Sequence, residues 1–156
     1  PEALRLVVVN QMPASLLNRV CDSDGAADFC GRHGIALLAY SPLESGLLSG
    51  AYTLERRPDQ GLLSGSPWLA PDSYPRAMRV VDVLRAVAAE CRRTPAQVAL
   101  RWLMDRPGMA SVLVGTTKVE HLCNNLGALG WRLTPEQRAR LDAAAPEPQA
   151  PPAPNP

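Results

Sequence analysis

Short apolar runs alternate with amphipathic stretches along this chain. Runs rich in Val, Leu and Ile at 5–11, 35–40 and 112–114 predict buried strands, the first ending at Gln11 and the third stopping at Gly115. Apolar residues that recur at helical spacing predict helices at about 24–33, 76–92, 94–106, 117–126 and 134–145. Strands that alternate with helices in this way indicate a parallel sheet of βα units.

Local signals mark several of the helix ends. Thr94 and Thr134 each precede a proline and are followed by a glutamine three residues on, which is the capping-box pattern. Gly34 fits the stop of the first helix. The same helix can be capped at its start by Asp22, Ser23 or Asp24.

The segments between these elements differ in character. Pro13 is expected to break strand pairing at the start of an irregular stretch. The 41–50 segment (SPLESGLLSG) is rich in turn residues and too long for a simple connector. The 51–76 segment lacks a clear period and is either a flexible flap or an excursion over one face. The last residues, 146–156, predict a disordered, proline-rich tail after a domain at 1–145.

The junction between the third strand and its helix has the features of an anion site. Thr117 can cap the helix, with Glu120 three residues on as the second half of a capping box. The unpaired N–H groups of a first helical turn and the helix dipole favour a phosphate. An ordinary strand–helix connection is the alternative, because capping boxes are common.

Composition restricts the class of protein. The 156 residues carry a formal net charge of +1, which gives no basic field for nucleic acid or an anionic membrane. No apolar run reaches the roughly 20 residues of a membrane span, and the N-terminus lacks the pattern of a secretory signal.

The four cysteines form no C-x-x-C pair, so a metal site is not expected. Cys30, Cys91 and Cys123 are predicted as reduced core residues of a cytoplasmic protein.

Three segments, in order, carry a family resemblance. They read HGIALLAYSPLESGLLSGAY, TPAQVALRWL and VLVGTTKVEHLCNNLGAL. Together they are similar to the aldo-keto reductases, which are nicotinamide-dependent (β/α)8-barrel (TIM-barrel) oxidoreductases that reduce aldehydes and ketones. The resemblance runs from about residue 5 to 145. It implies an α/β fold that is part of a TIM barrel, namely the C-terminal three βα units (strands 6–8) plus extra helices.

The resemblance also implies a nicotinamide cofactor, NADP(H), with NAD(H) left open because His121 and Asn124 depart from the residues common in the family. Barrels of this class often bind phosphate between the loops after strands 7 and 8. The two unusual loops of this sequence are those two loops. We therefore expect cofactor phosphate binding rather than an ordinary connection.

The implied cofactor contacts fall into three groups. Gln11 matches the contact to the nicotinamide carboxamide and Tyr40 the ring that stacks on the nicotinamide; a hydrogen-bonded strand-end glutamine and a packing tyrosine are the alternatives. The loop around the pyrophosphate is matched by Ser41, Pro42, Leu43, Ser45, Gly46 and Leu47. The turn around the adenosine 2′-phosphate and the helix for adenine and its ribose are matched by Gly115, Thr116, Thr117, His121, Asn124 and Asn125.

The catalytic half of the family pattern is missing from this sequence. The family uses a Tyr proton donor with Lys, Asp and His partners on the first half of the barrel, and Lys118 is the only lysine here. The sequence therefore predicts the cofactor-binding part of a reductase whose small carbonyl substrate is turned over only when an N-terminal half is supplied. The alternative is a non-catalytic module that binds a nicotinamide nucleotide or a partner.

Overall fold

The computed structural model describes residues 6–58, 63 and 65–147, and its centre is a parallel sheet. Three strands, β1 (Val9–Pro13), β2 (Ala36–Tyr40) and β3 (Met109–Val112), lie in the order β1-β2-β3. Both neighbouring pairs are parallel. The predicted alternation of strands and helices is thereby confirmed.

The predicted ends of the two outer strands were wrong. β1 runs from 9 to 13 rather than from 5 to 11, so Gln11 lies in the middle of the strand. Pro13 does not break the pairing, because it lies opposite Tyr40 on an edge strand. β3 runs from Met109 to Val112 rather than over 112–114, and its last residue lies opposite Ala39 of β2. The N–H of Leu113 makes the last bond, 2.8 Å, to the Ala39 carbonyl.

Helices occupy the connections and the C-terminal part of the described chain. A short α1 (Val20–Ser23) precedes α2 (Ala26–His33), and α3 (Tyr74–Cys91) and α4 (Pro95–Met104) both lie between β2 and β3. After β3 come α5 (Val119–Leu126) and α6 (Pro135–Ala144), and 3₁₀ turns cover Glu44–Ser49 and Pro67–Leu69. A membrane span would need a longer apolar stretch than any helix in the described part of the chain provides.

Most helix ends follow their local signals. Thr94 and Thr134 both form the predicted capping boxes, with Gln97 and Gln137 as partners. Gly34 ends α2 in the left-handed conformation, at φ 66°. The predicted start of the first helix is split in the structure. The Asp24 carboxylate accepts a 2.8 Å bond from the Ala26 N–H, where α2 begins after the separate α1.

The helices cover one face of the sheet. The row of register partners Met12, Ala39 and Val112 faces the main core. That core is filled mainly by α3 and α4, and the Trp102 indole N–H donates a 2.8 Å bond to Asp142 of α6. Apolar residues of the 51–76 segment pack against this core, namely Tyr52, Leu63, Trp68, Leu69 and Tyr74. Trp68 is 8% exposed, and the Tyr74 hydroxyl donates to the Thr53 carbonyl.

The opposite face of the sheet is open. Register partners Gln11, Leu38 and Ser111 form a row on it, and Gln11 and Ser111 are exposed. Tyr40, two residues along β2, is on the same face and is 39% exposed. The predicted domain, 1–145, and tail, 146–156, stay predictions, because residues 1–5 and 148–156 lie outside the described residues.

Candidate functional site

Two loops leave the same edge of the sheet side by side. The carboxyl ends of parallel strands lie at one edge, so the loop after β2 and the segment from β3 to α5 start as neighbours. The bond from the Leu113 N–H to the Ala39 carbonyl joins the strands where the two connections begin. All but Gln11 of the predicted site residues lie at the end of β2, on these two connections or on α5.

The segment before α5 is organised by Thr116 rather than by Thr117. The Thr116 hydroxyl accepts a 3.1 Å bond from the Lys118 N–H and lies 3.2 Å from the Lys118 carbonyl, to which it donates. Lys118 is the N-cap of α5, and no side chain caps the helix. The predicted Thr117–Glu120 capping box was therefore wrong. The hydroxyls of Thr116 and Thr117 can both accept a bond from a nearby backbone N–H. The N-cap of α5 is Lys118, one residue later than the predicted box requires.

This segment presents a series of free backbone donors. Gly115, Thr116 and Thr117 are exposed, and their N–H groups form no hydrogen bond with other described residues. The first bond of α5 is the 3.2 Å contact from the Leu122 N–H to the Lys118 carbonyl. The N–H groups of the preceding turn, at 119–121, are therefore also unpaired within the described chain. Such a set of donors at the positive end of a helix suits an anion.

The loop after β2 has an unusual backbone. Ser41, Glu44 and Ser45 have positive φ values of 55°, 47° and 52°, and Gly46 has a φ of 96°. Ser41 and Ser45 are exposed at the loop surface. The other predicted residues of the loop anchor it instead: Pro42 and Leu47 are buried, and Leu43 is half-buried against the core.

Helix α5 offers polar side chains and an uncovered apolar face. His121 is exposed, whereas Asn124 and Asn125 are half-buried. The Gln97 side-chain amide of α4 donates to the Asn124 carbonyl at 2.7 Å and to its side-chain oxygen at 3.3 Å.

The apolar residues of α5 recur at helical spacing, and they remain largely uncovered by the described chain. Val119 is 78% exposed, Leu122 43% and Leu126 55%. Cys123 is exposed as well, so its predicted place in the core was wrong, while Cys30 is buried and Cys91 is partly buried.

Three further residues near these loops, Ser15, Glu44 and Ser111, were not among the predicted site residues. Ser111 belongs to the open row with Gln11, and only the strand register reveals it. Ser15 and Glu44 form a 2.6 Å hydrogen bond between the loops after β1 and β2. Burial raises the pKa of the Glu44 carboxyl, while this bond opposes the rise.

Among the described residues, no group of three His, Cys, Asp or Glu side chains could hold a metal ion. An open cavity lined by Trp68, Arg76 and Arg79 contains none of the predicted residues.

The arrangement defines a class of protein. A parallel sheet with free backbone donors after one strand, beside the loop after the neighbouring strand, is the architecture in which α/β proteins bind phosphate-containing ligands. The family model described as "Aldo/keto reductase family" matches residues 4–146. The chain belongs to the aldo/keto reductase family.

Similar proteins are longer than this chain. An uncharacterized oxidoreductase of Mycobacterium tuberculosis is 36% identical over 141 residues, which make up 90% of this chain and 43% of that protein. An aldo-keto reductase of Strobilurus tenacellus is 33% identical over 122 residues, 76% of this chain and 35% of that protein. The chain thus spans less than half the length of these relatives.

Solved structures confirm the fold class. A glycerol dehydrogenase from Gluconobacter oxydans superposes with a TM-score of 0.77 at 23% identity, over 87% of this chain and 41% of that one. A thermostable aldo-keto reductase solved with the inhibitor epalrestat gives a TM-score of 0.64 at 26% identity, over 88% of this chain and 39% of that one. The chain has an α/β fold that forms part of a TIM barrel.

Proposed function

We propose that this chain is the C-terminal part of an aldo/keto reductase barrel, strands 6–8, and that it binds NADP(H), with NAD(H) as the alternative. The observation that carries the proposal is the series of free, exposed N–H groups at 115–117 and in the first turn of α5, beside the loop after β2. Each N–H can donate to a phosphate oxygen. The complete enzyme would reduce a small aldehyde or ketone.

The described residues leave open space for a dinucleotide, in addition to offering hydrogen-bond donors for its phosphates. A Cβ atom built on Gly46 or Gly115 would meet no atom within 4 Å, so the backbone at both positions borders open space. Small residues of this kind let a phosphate approach the chain closely. Gln11 and Tyr40 lie on the open face of the sheet next to these loops and offer an amide and an aromatic ring for the nicotinamide.

Within this proposal, the two loops divide the cofactor between them. Ser41 and Ser45, with Gly46, would hold the pyrophosphate, and Pro42, Leu43 and Leu47 would fix that loop to the core. Gly115, Thr116 and Thr117 would surround the 2′-phosphate, and His121, Asn124 and Asn125 would lie along the adenosine. When bound, the cofactor supplies the hydride that reduces the carbonyl carbon.

The proton donor must come from outside this chain. Charge develops on the carbonyl oxygen as hydride arrives, and a poised acid within hydrogen-bond reach is needed there. The family's Tyr–Lys–Asp–His set cannot be assembled here, because the only lysine, Lys118, is exposed on the α5 segment. Strands β1 and β3 each pair on one side only within the described chain, which suits a barrel completed by further strands.

A charge substitution tests the binding site. Ser45→Asp places a carboxylate on the exposed part of the loop, and we expect it to weaken NADPH binding at least about tenfold through like-charge repulsion with the phosphates. Asp tolerates the left-handed conformation, so the loop itself should keep its shape. The measurement is isothermal titration calorimetry with NADPH and with NADH.

Ser73→Asp is the matched control, because it adds the same charge at the start of α3. Equal weakening by both variants, or a wild-type chain that is folded and binds neither nucleotide at millimolar concentration, would contradict the proposal. Cofactor binding without carbonyl reduction by the longest open reading frame that contains this chain would favour the non-catalytic module instead.

A further inference from the structure

Ser15 is a buried hydroxyl with all of its hydrogen-bonding capacity in use. It is fully buried, one residue after Ala14, whose N–H donates to the Tyr40 carbonyl at the end of β2. The Ser15 oxygen accepts from the Leu17 N–H at 3.1 Å and from the Asn18 N–H at 2.9 Å. Its single proton is therefore left for the Glu44 carboxylate, whose oxygen lies 2.6 Å away.

Glu44 lies within the strained part of the loop after β2. Positive φ at a residue with a Cβ is sterically unfavourable and persists only where the surroundings enforce it. In the described chain this conformation occurs at Arg92, which ends α3, and otherwise only at Ser41, Glu44 and Ser45. The backbone of the loop is closed by local bonds, from Glu44 to Ser41 and from Gly46 to Leu43. The Glu44 side chain adds a bond to a different loop, 29 positions away in sequence.

A carboxylate is an unexpected side chain in a loop that is proposed to bind a phosphate. A free negative charge there would repel the ligand. Here the carboxylate is half-buried and accepts a short bond from a neutral hydroxyl, which is the geometry of a charge-assisted hydrogen bond. Its burial costs free energy, which is reflected in the raised pKa of Glu44. A half-buried carboxylate at this position is explained if its hydrogen bond to Ser15 fixes the conformation of the loop.

We propose that Glu44 is a positioning residue: its hydrogen bond to Ser15 holds residues 41–46 in the conformation that receives the cofactor pyrophosphate. The inference rests on the proposed function for its ligand, but the restraint on the loop can be tested separately. Ser15 itself is a poor target, because its removal also frees the N–H groups of Leu17 and Asn18.

The experiment compares Glu44→Ala with Glu44→Gln, and the control is Glu90→Ala. Glutamine keeps an oxygen that can accept from Ser15, whereas alanine does not. Glu90 is a carboxylate that is also hydrogen-bonded, to Arg140 and Gln137, but it lies near the end of α3. Amide hydrogen exchange is followed in 41–46 and in α3 and α4, and NADPH dissociation constants are measured for the same proteins.

We expect Glu44→Ala to raise exchange in 41–46 about tenfold with little change in α3 and α4, and to weaken NADPH binding by about the same factor. Glu44→Gln should stay within about twofold of the wild type in both measurements, and Glu90→Ala should leave 41–46 unchanged. Unchanged exchange in 41–46 of Glu44→Ala, equal acceleration throughout the chain, or a Glu44→Gln variant that behaves like alanine would overturn the inference. Local loosening by Glu44→Ala in a protein that binds no nucleotide would support the restraint and overturn the proposed function.

Discussion

The four cysteine thiols have different surroundings, and they report on which faces of the protein are covered. Burial, followed by the charge of Asp22, raises the pKa of Cys21 to about 11. Cys30 is the buried residue of α2 and clusters with Ile35 and Leu37, and burial also raises the pKa of Cys91. Cys123 lies on the exposed side of α5. Because the thiolate is the reactive form, burial and a raised pKa both slow alkylation.

We predict that Cys123 is the first thiol to react with iodoacetamide in the native protein near pH 8. Cys21 and Cys30 should react only at the rate of unfolding, and Cys91 should be intermediate. Peptide mass spectrometry after timed labelling gives the four rates, and labelling in urea provides the unprotected reference. A Cys123 as slow as Cys30 would mean that the α5 face is covered after all.

At the scale of elements, Gln97 joins two helices at once. Its oxygen accepts from the Thr94 N–H in the capping box of α4, and its nitrogen donates to the Asn124 carbonyl near the end of α5. Gly127, just after α5, leaves room for this side chain. A Cβ on Gly127 would lie 2.2 Å from the Gln97 amide nitrogen. The position of α5, and with it the free N–H groups of its first turn, therefore depends partly on this contact.

Gly127→Ala should displace the Gln97 amide and destabilise the protein by about 1–2 kcal/mol, the cost of losing its partly buried hydrogen bond to the Asn124 carbonyl. Gly31→Ala is the matched control. It adds the same methyl group at an exposed position inside α2, where no atom lies within 4 Å, and should stabilise the protein by about 0.5–1 kcal/mol. Urea unfolding gives both changes in the free energy of unfolding. Equal effects in the two variants would show that the Gln97 contact contributes nothing.

The elements also show what sequence patterns can and cannot determine. The capping boxes at Thr94 and Thr134 and the stop at Gly34 were predictable because each depends on residues within one helical turn. Strand bounds depend on the register with the neighbouring strand, which a local apolar pattern does not contain, so those of β1 and β3 were misplaced. Before α5 only Thr117 has the capping-box spacing to a glutamate, and the structure shows that the adjacent Thr116 makes the bond instead.

The candidate site was partly predictable for the same reason. The loops after β2 and β3 are contiguous segments of sequence, and parallel pairing brings them to one edge. The Ser15–Glu44 bond joins residues from different loops, and no periodicity indicates such a pair. The exposed apolar face of α5 could not be foreseen either, since a helical pattern shows that a face is apolar but not that this chain covers it.

For the whole molecule, several features fit the proposal that further strands complete the barrel. The open face of the sheet carries Gln11 and Tyr40, and Val8, just before β1, is 71% exposed. The chain spans 43% of its mycobacterial relative. Exposed apolar surface of this kind marks an interaction site in a folded protein. Further strands of the same barrel would cover the open face and pair with the free edges.

If the loop after β2 and the segment before α5 bind one dinucleotide together, the same ligand should protect both. Amide hydrogen exchange of the wild-type protein with and without saturating NADPH tests this directly, since N–H groups that donate to phosphates exchange more slowly. We expect simultaneous protection of 41–47 and 115–121, with little change in α3 and α6. Protection of only one of the two segments, or of a different surface such as that around Trp68 and Arg76, would contradict it.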